Sequence, residues 1–371
     1  MNFDFSDDLK MLRDQARKFL REQAPLKVTR RVLEGNAPYD KDLWRAIAEM
    51  GWLGVAVPED FGGAGLGYEG LCVLAEEFGA ALAPVPFSSS VYLAIEAILA
   101  AGSEAQKQQY LPKLVQGALI GTFALAEGPG NPSPKRVAAG ISGGKLSGSK
   151  WPVPDGAIAD FAVVAAKDPG GKLSLYLVDL QGRGVKRQTL KTVDPSRNQA
   201  RLDFTDAPAE LLGPAGGGWE IARRLLDRAA IMFAFEQVGG AQACLTMAKD
   251  FAMERYAFGR PIGSFQAIKH KLADVYIATE LARSNAYYGA WAIATDAAEL
   301  PLAAAAARVA ATDAFHLASK ENIQTQGGMG FTWEVDCHLY YRRSKLLALA
   351  VGSQPYWKDR LVAELETRNR P

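Results

Sequence analysis

A chain of 371 residues, 49% of them hydrophobic, is long enough to bury the cores of two or three packed units. With 42 Lys+Arg against 41 Asp+Glu and a net charge of +1, it gives no reason to expect nucleic acid as its main partner, so an anionic ligand must be held by a local cluster. Cys72, Cys244 and Cys337 are far apart and show no metal-ligand or redox spacing, which argues against a disulfide framework or a metal site and for a reducing, cytoplasmic setting. The acidic start MNFDFSDDLK lacks an export pattern, and no apolar run reaches the roughly 18 residues that membrane insertion requires.

In chain order, helical periodicity comes first. Leu9, Leu12, Ala16, Phe19 and Leu20 recur at helical spacing, with Ser6 as N-cap and Asp7 and Asp8 at the positive end of the dipole. Further helices are expected over 41–50, 68–82, 91–101 and 104–116, giving an α-helical domain over residues 1–118. From about Leu119 the period changes. TFALAE, DFAVVAA and LSLYLVDL are separated by GPGNPSP, DPGGK and QGRG, the pattern of antiparallel strands and turns, so residues 119–214 are expected to form a β-barrel or sandwich. After GPAGGG the helical period returns over 219–256, 264–298, 302–326 and 333–351, and residues 215–371 are expected to form a four-helix bundle. Gly239 and Gly240 interrupt the first of these runs at a cost of about 1 kcal/mol each relative to Ala, which points to close packing there against another helix or a ligand.

Two stretches carry a resemblance. RYAFGRPIGSFQAIKHKLADV, beginning at Arg255, and NIQTQGGMGFTWEVDCHLYYRRSKLL, beginning at Asn322, resemble the acyl-CoA dehydrogenase superfamily, and the likeness extends over nearly the whole chain. The resemblance implies noncovalent FAD, an acyl-CoA substrate, electron-transfer flavoprotein as electron acceptor and a homo-oligomer, with parts of each FAD site drawn from a neighbouring subunit. It implies that Arg255 contacts the FAD diphosphate beside Phe258. Burying two phosphate charges requires fixed positive charge and hydrogen-bond donors. The alternative for Arg255 is a simple interaction with the negative end of its helix. Gln324, Gly327 and Gly328 match a second FAD segment, where the missing Cβ lets backbone N–H groups approach a phosphate; alone, GGMG also reads as a helix C-cap. Near the flavin ring, AEGPG from Ala126 replaces the family's Thr-Glu-Pro-Gly, and Trp151 matches a ring-packing tryptophan, though a strand tryptophan also serves a core. Ser353 belongs to the same cofactor set.

The family's chemistry removes the proton α to a thioester carbonyl and passes a hydride from the β-carbon to the flavin, so a carboxylate must face the α-carbon in a dry pocket. In the commonest members that base is the Glu of Glu-Gly-Thr; here the position is Val351, followed by Gly352 and Ser353. A minority places it on the first bundle helix, at Ala229 in this chain. Neither residue can accept a proton. Glu236 lies seven residues beyond Ala229, on about the same face and roughly 10 Å along the axis, and is the candidate base; the alternative is a structural ion pair. Asp227 matches a position near the CoA portion of the substrate, with Arg228 beside it and Ala230 where the family commonly has arginine. Two further readings stay open. One is a base-lacking subunit of a mixed tetramer that completes the FAD site and interface, and the other is a flavin oxygenase on the same fold. His338 is expected to be structural.

Overall fold

The structure is a computed structural model and describes residues 6–368. It begins with α1 (Asp7–Gln23), α2 (Leu26–Leu33), α3 (Lys41–Glu49) and α4 (Gly67–Ala81), then a π-helical stretch, Ser88–Ile95, that runs into α5 (Glu96–Ala101), and α6 (Glu104–Val115). Eight strands follow: β1 (Gly121–Ala124), β2 (Gly140–Ser142), β3 (Lys145–Pro154), β4 (Phe161–Lys167), β5 (Leu173–Asp179), β6 (Val185–Thr189), β7 (Gln199–Pro208) and β8 (Glu210–Leu212). Then come α7 (Gly218–Glu254), a ribbon of β9 (Tyr256–Ala257) and β10 (Arg260–Pro261), α8 (Gln266–Ala294), α9 (Leu300–Gln326), α10 (Cys337–Leu347) and α11 (Gln354–Arg368). The order of helical, sheet and helical segments is the one the changes of period imply.

The described residues form two compact units. One comprises 6–30, 68–83 and 230–368, the other Arg31–Gly67 and Pro84–Ala229, and α7 contributes residues to both. In the first unit α1 starts as expected. The Ser6 side chain accepts the Leu9 N–H, and Leu9, Leu12, Ala16 and Leu20 are buried. The glycines of α7 are explained by contact. A Cβ on Gly239 would lie 1.8 Å from the Glu76 carbonyl oxygen, and one on Gly79 would lie 1.9 Å from that of Glu236, so α4 and α7 meet backbone to backbone at a reciprocal glycine pair. Gly240 faces the Phe315 ring, 2.5 Å from a built Cβ. The bundle also has a helix beyond the four expected. Helix α11 buries Trp357 and, among its described residues, no other side chain.

In the second unit the sheet runs in the order β6-β7-β3-β2-β4-β5-β8, with β1 also paired to β4. Most ladders are antiparallel, as expected, but β1 pairs with β4 in parallel, Gly121 opposite Phe161. The reason lies in the connections: the β2–β3 hairpin reverses the chain once and the β3–β4 connection reverses it again, so β4 runs in the direction of β2 and β1. The first six residues of β4 and of β5 are buried without alternation, the pattern of strands covered on both faces. The β3–β7 ladder is irregular between Lys150 and Val153, where the Trp151–Pro152 peptide is cis and Pro152 has no N–H to give.

Candidate functional site

The corner at Arg255 is a tight hairpin. Helix α7 stops at Glu254, Arg255 still donates its N–H to the Phe251 carbonyl at 2.9 Å, and its own carbonyl accepts from Ile262 at 2.8 Å. β9 and β10 pair Ala257 with Arg260, leaving Phe258 (φ 53°) and Gly259 (φ 77°) as the turn. Positive φ at both central residues matches a type I′ turn, a conformation that a bulky residue such as Phe rarely adopts. Phe258 stands 96% exposed at the tip. The Arg260 guanidinium lies 4.1 Å from the Phe265 ring centroid, and Arg255 itself is exposed.

Within the same unit, α9 ends at Gln326 and passes into the GGMGF turn. Gln324, Gly327 and Gly328 are exposed together. Gly327 has φ 60° and ψ −136°, near the first central position of a type II′ turn and strained for any residue with a Cβ. A Cβ built on Gly327 or Gly328 meets no atom within 4 Å, so both backbones are open to a ligand. Gly330 instead is required by packing, since its Cβ would lie 2.4 Å from the Ile323 carbonyl. An exposed guanidinium, an exposed carboxamide and two bare peptide units are the donor types a diphosphate requires, and these residues fit FAD.

The loop that carries Val351 is held by a residue the sequence reading missed. Arg308 is buried and donates to the carbonyls of Leu347 and Ala350, the latter at 3.0 Å, as well as to the Gln237 carboxamide oxygen and the Thr312 hydroxyl. Burial pulls its guanidinium down to about 9, against the opposing influence of Glu236. A signal was present, because Arg308 is the lone charge in LPLAAAAARVAAT. Immediately after the clamped carbonyls Val351 takes φ 54°, an outlier for a β-branched residue. Gly352 follows at φ 121°, with Tyr356 2.6 Å from a built Cβ, and Ser353 is half-buried and accepts the Trp357 N–H at its carbonyl. Glu236, on α7, is fully buried and lies 3.6 Å from Arg343 of α10, itself 1% exposed.

In the other unit the structure brings Ala126 and Trp151 together. The Trp151 N–H donates to the Ala126 carbonyl at 2.8 Å, and the Gly128 N–H donates to the Trp151 carbonyl at 2.7 Å. Beside them Lys150, its side chain 0% exposed, pairs at 2.6 Å with Glu127, which is 12% exposed. Both residues escaped the sequence reading. Arg228 is paired with Glu96, both side chains largely buried, Asp227 is buried, and Ala229 is buried among apolar residues of α7.

Comparisons agree with this architecture. Residues 6–118 match the model of the acyl-CoA dehydrogenase N-terminal domain and residues 216–364 that of the C-terminal domain. The chain is 33% identical over 362 residues to the acyl-CoA dehydrogenase IpdE2 of Mycobacterium tuberculosis, covering 97% of this chain and 98% of that one. It superposes with a TM-score of 0.88 on a variant of the Tcur3481–Tcur3483 steroid ACAD, at 32% identity and covering 98% of both chains. For the ChsE4–ChsE5 complex from Mycobacterium tuberculosis the TM-score is 0.89 at 28% identity, with all of both chains covered. Through these matches and the two motif stretches, this chain belongs to the acyl-CoA dehydrogenase family of FAD-dependent flavoproteins.

Proposed function

We propose that this acyl-CoA dehydrogenase works in a mixed assembly in which a related subunit supplies the carboxylate, while this chain supplies flavin-site and interface elements. The observation that carries this reading is the content of the positions where the resemblance expects a base. Val351 and Ala229 have no titratable group, and Glu236 faces a buried arginine. A carboxylate acting as general base must be free to approach the α-carbon of the thioester. One facing Arg343 inside the bundle is matched to that charge instead.

Exposed apolar side chains support assembly. Phe258 (96%), Phe331 (80%), Tyr256 (63%) and Leu281 (60%) are exposed on a single chain, and covering them with another subunit would be favourable. The ChsE4–ChsE5 neighbour is a complex of two named components, which supports a hetero-oligomer over a homo-oligomer. Likeness to a steroid ACAD supports a bulky, ring-bearing acyl-CoA as the substrate class. Arg255 and a neighbouring subunit's Gln324–Gly328 segment would hold the FAD diphosphate; Ala126 and Trp151 are the proposed ring contacts. When bound, FAD supplies the acceptor for the hydride that leaves the substrate's β-carbon. Electron-transfer flavoprotein is the proposed electron acceptor, and the cytoplasm the proposed location. Asp227 and Arg228 stay candidates for the CoA portion, although the Arg228 charge is already matched by Glu96.

Co-expression with a related subunit tests the reading. The two chains should co-purify as one particle by light scattering, with more FAD per chain than this chain holds alone. A homo-oligomer saturated with FAD that ignores the second subunit would contradict it.

A further inference from the structure

Lys150 sits on β3 with the parity of Leu146, which faces inward, and its charged head is fully enclosed. Its ammonium donates to the Leu125 carbonyl at 3.2 Å and to the Glu127 carboxylate at 2.6 Å. The same carboxylate accepts two backbone N–H groups from the far end of the following loop, Ala138 at 2.8 Å and Ala139 at 3.0 Å. Glu127 therefore ties together both ends of the stretch from 127 to 139, and Lys150 ties that knot to the sheet. Between the two anchored residues and one position along lies the backbone bridge of Glu127 with Trp151, the point at which the β3–β7 ladder lapses.

Enclosing an ammonium is costly, and a buried ion pair is often no more stabilising than an apolar pair of the same size. Burial lowers Lys150 to about 8 despite the attraction of Glu127, with Lys167 of β4 also opposing its charge. Burial acts to raise Glu127, but Lys150 and the two amide donors outweigh it and hold this carboxyl below its usual range. A pair of this kind is better suited to fixing register than to adding stability.

We infer that the Lys150–Glu127 pair is a positioning device for the cofactor: it sets the Ala126–Gly128 backbone against Trp151, and FAD affinity depends on that register. The inference rests on the proposed flavin role of Ala126 and Trp151. Neither Lys150 nor Glu127 need touch FAD. Their effect is transmitted through the Trp151 N–H to Ala126 carbonyl bond and the Gly128 N–H to Trp151 carbonyl bond. Without the ammonium and the carboxylate, the loop keeps its sequence but loses the two anchors that choose which peptide faces Trp151.

The test uses the full-length chain in the assembly in which it purifies, stripped of FAD and titrated back by flavin fluorescence quenching, with the visible flavin spectrum recorded at saturation. Two variants are compared, Glu127→Gln and the double variant Lys150→Met with Glu127→Gln, whose thermal unfolding is measured without FAD. In the double variant no buried charge is left unmatched, so the apo-protein should unfold within a few degrees of the unaltered chain, while its FAD dissociation constant rises at least about tenfold and the flavin bands shift. Glu127→Gln keeps an acceptor for Ala138 and Ala139 and should show a smaller rise of the same kind. A folded double variant with unchanged FAD affinity and spectrum overturns the inference while leaving the flavin reading intact. Failure of the unaltered chain to bind FAD in any assembly overturns both.

Discussion

Glu236 and Arg343 lie 3.6 Å apart, with side chains 0% and 1% exposed, on helices α7 and α10 of one unit. Nearby on α7, Gln237 accepts from Arg308, which in turn holds the Leu347 and Ala350 carbonyls ahead of Val351. Arg308 thus braces the segment that carries Val351, within the electrostatic reach of Glu236. Replacing Glu236 by Gln leaves Arg343 without its countercharge, and breaking a buried pair in this way costs about 3 kcal/mol or more. Urea unfolding should show that loss, while flavin reduction in the assembled enzyme keeps its rate. A hundredfold loss of rate with unchanged stability would instead make Glu236 the base.

Arg255 is exposed at the foot of the hairpin, so its removal should touch binding and not folding. Arg255→Ala is expected to weaken FAD about ten- to hundredfold, the loss of one or two charge-assisted hydrogen bonds, with the unfolding midpoint of the apo-protein unchanged. Equilibrium dialysis against FAD checks it. Unchanged affinity would remove Arg255 from the diphosphate site.

The α4–α7 crossing makes a stability claim. Gly239→Ala places a Cβ 1.8 Å from the Glu76 carbonyl and 2.9 Å from the Ala80 nitrogen, backbone atoms that can yield only if the helices separate. A loss of about 3 kcal/mol or more is expected from overpacking. Gly240→Ala meets ring atoms of Phe315 rather than backbone, and should cost less. Calorimetry on the two variants ranks them.

Lys150 gives a pH dependence whose sign is opposite to that of an ordinary ion-paired lysine. In the folded protein it loses its proton near pH 8, against an ordinary value of 10.5. Between those values the unfolded chain binds the proton and the folded chain does not, so stability from this group rises with pH, and the cost of enclosing the charge is fully present below pH 8. Relative to Lys150→Met, the unaltered chain should gain on the order of 1 to 2 kcal/mol between pH 7.5 and 9.5, measured by urea unfolding at each pH. A difference between the two proteins that stays constant across the range would refute the assignment.

Much of the fold was legible because the period of burial is written along the chain. Ser6 and the Leu9 to Leu20 spacing mark α1, and Gly239 and Gly240 mark a close approach before its partner is known. What escaped depends on residues far apart in sequence or on the lack of a stripe. Helix α11 buries only Trp357 among its described residues, while Val362 and Leu365 stay exposed, so it adds little to the core that the bundle pattern describes. The parallel β1–β4 pairing is set by the intervening β2–β3 hairpin, which no local pattern encodes. At Ser88–Ile95 every residue is buried, and an apolar helix gives no period to distinguish π from α geometry. For the site, the motif stretches located Arg255 and Gly327 by resemblance. Lys150 and Glu127 were not legible, since their pairing joins a strand to a loop 23 residues earlier.

On the mixed-assembly proposal this chain lacks a base of its own while retaining the elements of a flavin site. The most direct measurement is anaerobic bleaching of bound flavin by a panel of straight, branched and steroid-side-chain acyl-CoAs, run on this chain alone, on its Val351→Glu variant, and on the co-purified mixed assembly. No bleaching is expected of the chain alone, rapid bleaching of the mixed assembly, and measurable bleaching of Val351→Glu, in which a carboxylate returns to the position followed by Gly352 and Ser353. Rapid bleaching by the unaltered chain alone would contradict it, because a carboxylate already in place in this polypeptide would then be taking the α-proton.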